Sequence, residues 1–242
     1  MANNWLYLNF LVQYGLMKLS IIVPVFNEVK TISEIIRRVK RVKIKGVKKE
    51  IIMVNDGSFD GSKQKIDKLN GIKAIHLKNN QGKGLAIQEG LEKATGDYIL
   101  IQDADLEYDP QDYSRLLKPI IDKRAEVVYG SRFLGPHKNM LFWHWVGNKI
   151  ISLTTNILYN TTLSDIEVGY KVFPRKLGLQ LKLKARRFDF EPEITAKILK
   201  KGIRIFEVPI FYYGREYSEG KKVTWKDAFL AIWTLVKYRI QN

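Results

Sequence analysis

The chain has 242 residues and no cysteine, which excludes disulfides, zinc thiolates and thiol redox chemistry. Its formal net charge of +16 points to an anionic partner: nucleic acid, an acidic membrane surface or a phosphorylated substrate. Hydrophobic residues make up 45%, enough for a sizeable core, yet no run approaches the roughly 20 apolar residues of a membrane span.

Residues 1–16 are apolar but lack the basic start and cleavage site of a secretory signal. They read as an extension ahead of one domain spanning 17–242, with Met17-Lys18-Leu19-Ser20 as a natural start. Lys18 to Phe26 is a β-rich apolar run ending at Asn27-Glu28. Thr31 to Glu34 fits a capping box opening a helix. That helix has Ile32, Ile35, Ile36 and Val39 on one face and Arg37, Arg38, Lys40 and Arg41 on the other. Glu50 to Val54 is a second strand, ending in Asn55-Asp56-Gly57-Ser58. A polar helix over 61–69 and a short strand over 73–77 follow. The loop Asn79 to Gly84 then leads into a helix over 85–94; it lacks the spacing and the hydroxyl of a P-loop.

Tyr98 to Ile101 reads as a buried strand that breaks into acid at Asp103, Asp105 and Glu107. In an extended chain residues two apart point the same way, so the three carboxylates are expected to face one point. Hard divalent cations such as Mg²⁺ and Mn²⁺ take a few carboxylate oxygens and keep room for substrate phosphates. The plain alternative is a solvated acidic loop.

The order β-α-β-α-β-α-β argues for a Rossmann-like α/β fold, a mostly parallel sheet with helices on both faces. Ligands of such sheets sit beyond the carboxyl ends of the strands, where all three polar motifs so far fall. The second half is less regular. It reads as a helix over 109–123, a strand over 126–132, an aromatic-rich helix over 143–159 and a strand over 168–173. A helix over 192–201, a strand over 204–213, a charged loop over 214–222 and a final amphipathic helix over 225–239 complete it. The histidines stand singly, and no zinc site is expected.

Taken together, Pro24 to Glu28, Asn55 to Ser58, Asp103 to Asp105, Gly130-Ser131-Arg132, Asp165 to Lys171 and Arg215 to Lys222 resemble the family 2 glycosyltransferases of the GT-A fold. Within that family the chain is most similar to dolichol-phosphate mannosyltransferases and related polyprenyl-phosphate hexosyltransferases. The resemblance implies that Pro24, Phe26, Glu28 and Asp56 line the nucleotide pocket, that Lys83 approaches the nucleotide sugar, and that Asp103 and Asp105 hold Mg²⁺ or Mn²⁺ on the diphosphate. Glu107 stands where mannosyltransferase relatives carry glutamine, and Asn55 replaces the commoner aspartate.

The expected activity is inverting transfer of a hexose, mannose or glucose, from GDP-mannose or UDP-glucose to a polyprenyl phosphate. An acceptor phosphate is already anionic and needs cations to position it; an acceptor hydroxyl needs a general base. Arg132 is the expected clamp, since arginine grips phosphate bidentately, with Lys149, Ser152, Arg215, Lys221 and Lys222 as further candidates. The rivals are transfer to a sugar hydroxyl with Asp165 or Glu191 as base, a nucleotidyltransferase, and a basic nucleic-acid-binding protein, for which no module is present. Asp189 and Glu191 face the sugar or cap the helix after them. The chain is expected on the cytoplasmic face of a membrane, held peripherally by Leu141 to Trp145 and by Phe229, Ile232, Trp233 and Val236 of the last helix.

Overall fold

The structure is a computed structural model that describes residues 16–215 and 225–241. Its main sheet has seven strands. The first half follows the expected alternation: β1 (Met17–Val25), α1 (Ile32–Arg41), β2 (Val47–Asp56), α2 (Ser62–Asp67), β3 (Lys73–Leu77), α3 (Lys83–Lys93) and β4 (Tyr98–Ile101). The four strands are parallel, with Ile21 opposite Ile51 on one side and Leu100 on the other. Consecutive residues Ile21, Ile22 and Val23 are all fully buried. Since successive side chains point to opposite faces, both faces of the sheet are covered, and the strand reads as a continuous apolar run.

The second half comprises a 3₁₀ turn (Pro110–Asp112), α4 (Tyr113–Ile121), β5 (Val127–Ser131), β6 (His137–Lys138) and α5 (Phe142–Tyr159). Then come β7 (Lys171–Pro174), α6 (Arg175–Gln180), α7 (Phe190–Lys200), β8 (Ile205–Pro209), β9 (Tyr212–Tyr213) and α8 (Trp225–Ile240). The main sheet has the order β3-β2-β1-β4-β7-β5-β8: strand β7 inserts between β4 and β5 and runs antiparallel to both, while β8 is parallel to β5. The strand expected over 168–173 therefore begins at Lys171, and residues 165–169 become a loop. The strand expected over 204–213 divides: β8 joins the main sheet and β9 pairs with β6 in a small second one.

One other expectation changes. The capping box at α1 is not made: Thr31 Oγ1 donates back to the Glu28 carbonyl, and Glu34 pairs with Arg37 and Arg38. Helix α8 docks through Ala231 and Leu235 on a cluster with Ile151 and Tyr159 of α5 and Ala196 of α7. Tyr159 Oη donates to the Leu235 carbonyl at 2.7 Å, which fixes the two helices together. Phe229 and Trp233 face away and are exposed.

Helix α3 lies close on the sheet because Gly90 has no side chain. A Cβ there would stand 2.6 Å from Ile22 Cγ2 and 3.3 Å from Val54 Cγ2. Gly90→Val is expected to lower stability by about 1–3 kcal/mol through overpacking, read as a lower urea midpoint at unchanged slope.

Candidate active site

The parallel strands end at one edge, and the segments leaving them enclose a cavity of about 600 Å³. Pro24 and Val25 from the end of β1, Asp56 from the end of β2, Asp103 and Asp105 after β4, and Arg132 after β5 all line it. This is the crevice that an open α/β sheet offers beyond its strand ends. Phe26, Glu28, Lys83, Glu107 and Arg215 line it as well.

Asp56 shapes the wall. Its carboxylate accepts from the backbone N–H groups of Gln81 and Gly82 at 2.7 and 2.8 Å and from Asn80 Nδ2 at 3.0 Å. Gly82 has φ +104°, and a Cβ there would collide with the Arg186 carbonyl, so only glycine suits this turn. The turn delivers Lys83, whose Nζ lies 2.9 Å from both Asp103 and Glu191.

The acidic stretch is not arranged as its spacing implied. Strand β4 ends at Ile101, the chain then turns, and Leu106 adopts φ 66°. The alternation of an extended chain therefore does not apply, and the three carboxylates line one cavity without gathering on one point. Asp103 faces Lys83. Asp105 accepts from Arg215 Nη2 at 2.9 Å, and Glu107 accepts from the Arg215 backbone N–H at 2.9 Å. Arg215 Nη1 also reaches Glu28 at 3.1 Å. Burial, with Glu107 and Asp103 nearby, pushes the Asp105 carboxyl up to about 7 against the pull of Arg215.

Among the described residues no group of three acidic or histidine side chains stands ready to hold a metal ion in this arrangement. The donor chemistry nonetheless fits Mg²⁺ or Mn²⁺. Asp103 and Asp105 offer hard oxygens to the same cavity, magnesium typically uses one or two carboxylates plus substrate phosphate, and a divalent charge offsets the burial and the like charges that raise Asp105.

Arg132 forms another wall. Its Nε and Nη2 each donate to Asp165 at 2.7 Å, a bidentate fork, and its backbone N–H bonds the same carboxylate. Glu207 holds the far side of that loop by accepting from the Ser164 and Asp165 N–H groups at 2.8 and 3.1 Å. The guanidinium sits 5.4 Å from the centre of the Tyr212 ring. Lys149 lies 4.1 Å over the Phe133 ring and does not line the cavity. Ser152 is buried and accepts from the Ile166 N–H at 3.4 Å. Lys221 and Lys222 lie outside the described residues.

Two lining residues went unassigned or doubly assigned in the sequence. Glu191, in the first turn of α7, faces the cavity, while Asp189 accepts from the Arg187 N–H. Glu167 lines the cavity from the 165–169 loop. Its membership of the Asp165 to Lys171 motif was the available signal. Burial and neighbouring Glu191 push the Glu167 carboxyl up to about 8, opposed by Lys171 and Arg132.

Because Glu167 binds its proton more tightly when folded, the folded state is favoured below about 4.5 and loses that advantage as pH climbs through about 8. The thermal midpoint is expected to fall from about pH 5 to pH 8, and less steeply in Glu167→Gln; scanning calorimetry across that window checks both.

The Glycosyl transferase family 2 model matches residues 20–177 of the chain. A UDP-N-acetylglucosamine–dolichyl-phosphate N-acetylglucosaminyltransferase of Methanococcus voltae is 30% identical over 82% of this chain and 86% of its own. A dodecaprenyl-phosphate galacturonate synthase of Rhizobium johnstonii is 26% identical over 85% of this chain. The chain spans 62–91% of the length of such curated relatives, and less than two thirds of two of them. Among solved structures, glucosyl-3-phosphoglycerate synthase from Mycobacterium tuberculosis with Mn²⁺ and UDP-glucose superimposes with a TM-score of 0.73 at 16% identity, over 96% of this chain and 82% of that one. The same protein is known with Mg²⁺ and UDP. At that identity the likeness establishes the GT-A fold alone.

Proposed function

Since the chain belongs to glycosyl transferase family 2, we propose that it transfers a hexose, with inversion, from a nucleotide diphospho-sugar to a polyprenyl phosphate at a membrane surface. One observation carries this reading. A single cavity has an acidic edge, Asp103 and Asp105, and a cationic wall, Arg132, held in place by Asp165. The acidic edge suits a metal-bound diphosphate and the cationic wall an acceptor phosphate. The names of the two relatives, both acting on polyprenyl phosphates, support the same acceptor.

In the proposed reaction an acceptor phosphate oxygen attacks the anomeric carbon. The bond from that carbon to the donor diphosphate breaks, and the nucleoside diphosphate leaves with the electron pair. Pro24, Phe26, Glu28 and Asp56 form the nucleotide side of the cavity, and Lys83 faces the sugar. Arg132 presents the acceptor phosphate with the part of its guanidinium that the Nε–Nη2 edge, bonded to Asp165, holds in place. A Mg²⁺ or Mn²⁺ held by Asp103 and Asp105 would stabilise charge on the departing diphosphate. Transfer to a hydroxyl would need a base; of the two candidates, Asp165 is committed to Arg132, and Glu191 pairs with Lys83 through one oxygen. GDP-mannose and UDP-glucose are proposed donors, and the relatives' names extend the class to N-acetylglucosamine and galacturonate donors.

The proposed membrane contact is peripheral, on the cytoplasmic face. Among the described residues no helix is long and apolar enough to cross a bilayer. Phe142 and Trp143 at the start of α5 are 64% and 78% exposed, and Phe229 and Trp233 of α8 are 70% and 64% exposed. Exposed aromatics with a basic chain suit an anionic interface.

Asp105→Asn is expected to reduce transfer from UDP- or GDP-sugars by about 100-fold while far-UV dichroism is unchanged. Arg132→Lys keeps the charge and loses the fork, so the acceptor KM is expected to rise about tenfold with the donor KM unchanged. An equal rise in donor KM would move Arg132 to the donor side. Vesicle co-sedimentation should increase with anionic lipid, decrease with salt and weaken in a Phe142/Trp143/Trp145 triple alanine variant. Undiminished binding by that variant would place the contact elsewhere.

A further inference from the structure

The acidic edge of the cavity meets two cations of the protein itself. Lys83 Nζ lies 2.9 Å from Asp103. Arg215 serves three other carboxylates: Nη2 meets Asp105 at 2.9 Å, Nη1 meets Glu28 at 3.1 Å, and Nε stands 3.6 Å from Glu107. The last separation is too long for a hydrogen bond, and the buried Nε has no partner among the described residues. Arg132 gives the contrast, because its Nε and Nη2 both donate to Asp165 at 2.7 Å. Charge holds Arg215 among its carboxylates, and the fit is incomplete.

Asp105 is the shared point. It is one of the two carboxylates proposed to hold Mg²⁺ or Mn²⁺, and both its oxygens are taken, one by Arg215 Nη2 and the other by the Glu107 N–H at 3.1 Å. A dication on that carboxylate would stand beside the guanidinium, and like charges repel strongly where water is scarce. The guanidinium has a route away. The Arg215 N–H is tied to Glu107 and the Gly214 N–H to the Lys138 carbonyl, each at 2.9 Å, so the backbone stays fixed while the long side-chain stem rotates. An arginine leaving three carboxylates needs another anion, and a diphosphate in the same cavity is one.

We propose that Arg215 is an internal competitor of the metal. It closes the acidic edge to a free dication and yields when a nucleoside diphosphate enters with the metal, because the diphosphate replaces the anionic partners that the guanidinium gives up. Metal and diphosphate are thereby coupled, each favouring the other through the displacement of one side chain. This rests on the reading of the acidic edge as the seat of a metal-bound diphosphate, and adds the contact that regulates it.

Isothermal titration with Mn²⁺, alone and in saturating UDP or GDP, tests it on wild type, Arg215→Met and Arg215→Lys. Arg37→Met, on the exposed side of α1, controls for the same loss of charge. Arg215→Met should bind Mn²⁺ alone about tenfold or more tightly than wild type, and the factor by which the nucleotide tightens Mn²⁺ binding should shrink by about the same amount. Arg37→Met should stay within about twofold of wild type. In EDTA the melting temperature of Arg215→Met should fall, and Mn²⁺ should restore more of it than it adds to wild type. Arg215→Lys keeps the charge and loses the fork, and should bind Mn²⁺ alone about threefold more tightly than wild type; it decides the matter if Arg215→Met does not fold. Equal Mn²⁺ affinity in wild type and the folded Arg215 variants, an equal gain in Arg37→Met, or unchanged coupling to the nucleotide would overturn the proposal. If wild type binds Mn²⁺ neither alone nor with either nucleotide, the metal-bound diphosphate reading falls and this proposal with it.

Discussion

Burying carboxylates at the ends of strands is tolerable only when each is given a cation or a set of hydrogen-bond donors, and this protein's cavity is organised by that constraint. An isolated carboxylate removed from water costs several kcal/mol, and removing one partner of a buried pair costs about 3–5 kcal/mol. Three cations meet the demand here: Lys83 between Asp103 and Glu191, Arg132 on Asp165, and Arg215 among Glu28, Asp105 and Glu107. Each joins segments far apart in the chain. The ion pairs therefore fasten the segments that follow β1, β4, β5 and β9, the start of α3, the 165–169 loop and the start of α7 around one space.

The sheet topology makes those pairings possible. Because β7 runs antiparallel between β4 and β5, the loop preceding it arrives at the same edge where the parallel strands end. A Cβ on Gly169 in that loop would collide with the Asp103 carboxylate, so the close approach needs a glycine. Asp165 thereby meets Arg132 after β5, and Glu167 meets the cavity. Had β7 been parallel, its leading loop would lie at the opposite edge.

Charge balance is incomplete, and the shortfall lies where ligands are proposed. One guanidinium serves three carboxylates on the nucleotide side, and the Asp105 carboxyl is driven upward by burial and like charge. On the opposite wall two glutamate oxygens have no donor. Perturbed ionisation and unsatisfied buried atoms concentrate at functional sites because the strain there is relieved on binding. Elsewhere the molecule follows ordinary rules: the apolar centre of the sheet is fully covered, and Asp56, Glu50 and Glu207 bond backbone or hydroxyl donors that hold loops.

The sequence by itself determined the first half of the fold and many of the residues that line the cavity. Apolar runs of strand length alternating with amphipathic segments leave few topologies, and polar motifs at each run's carboxyl end fall on one edge of a parallel sheet. Pro24, Phe26, Glu28, Asp56, Asp103, Asp105, Glu107 and Arg132 line the cavity for that reason, and Lys83 and Arg215 line it as well. Only the tertiary structure decided which charges face one another. Strand periodicity stops at Ile101, so the spacing of Asp103, Asp105 and Glu107 carries no directional information once the chain turns. Arg215 stands on the nucleotide-side carboxylates, Lys149 stacks on Phe133 and Ser152 is enclosed, because long-range contacts place them and local pattern does not encode those contacts. The antiparallel insertion of β7 was likewise invisible, since a strand's direction depends on the partners it finds and not on its own residues.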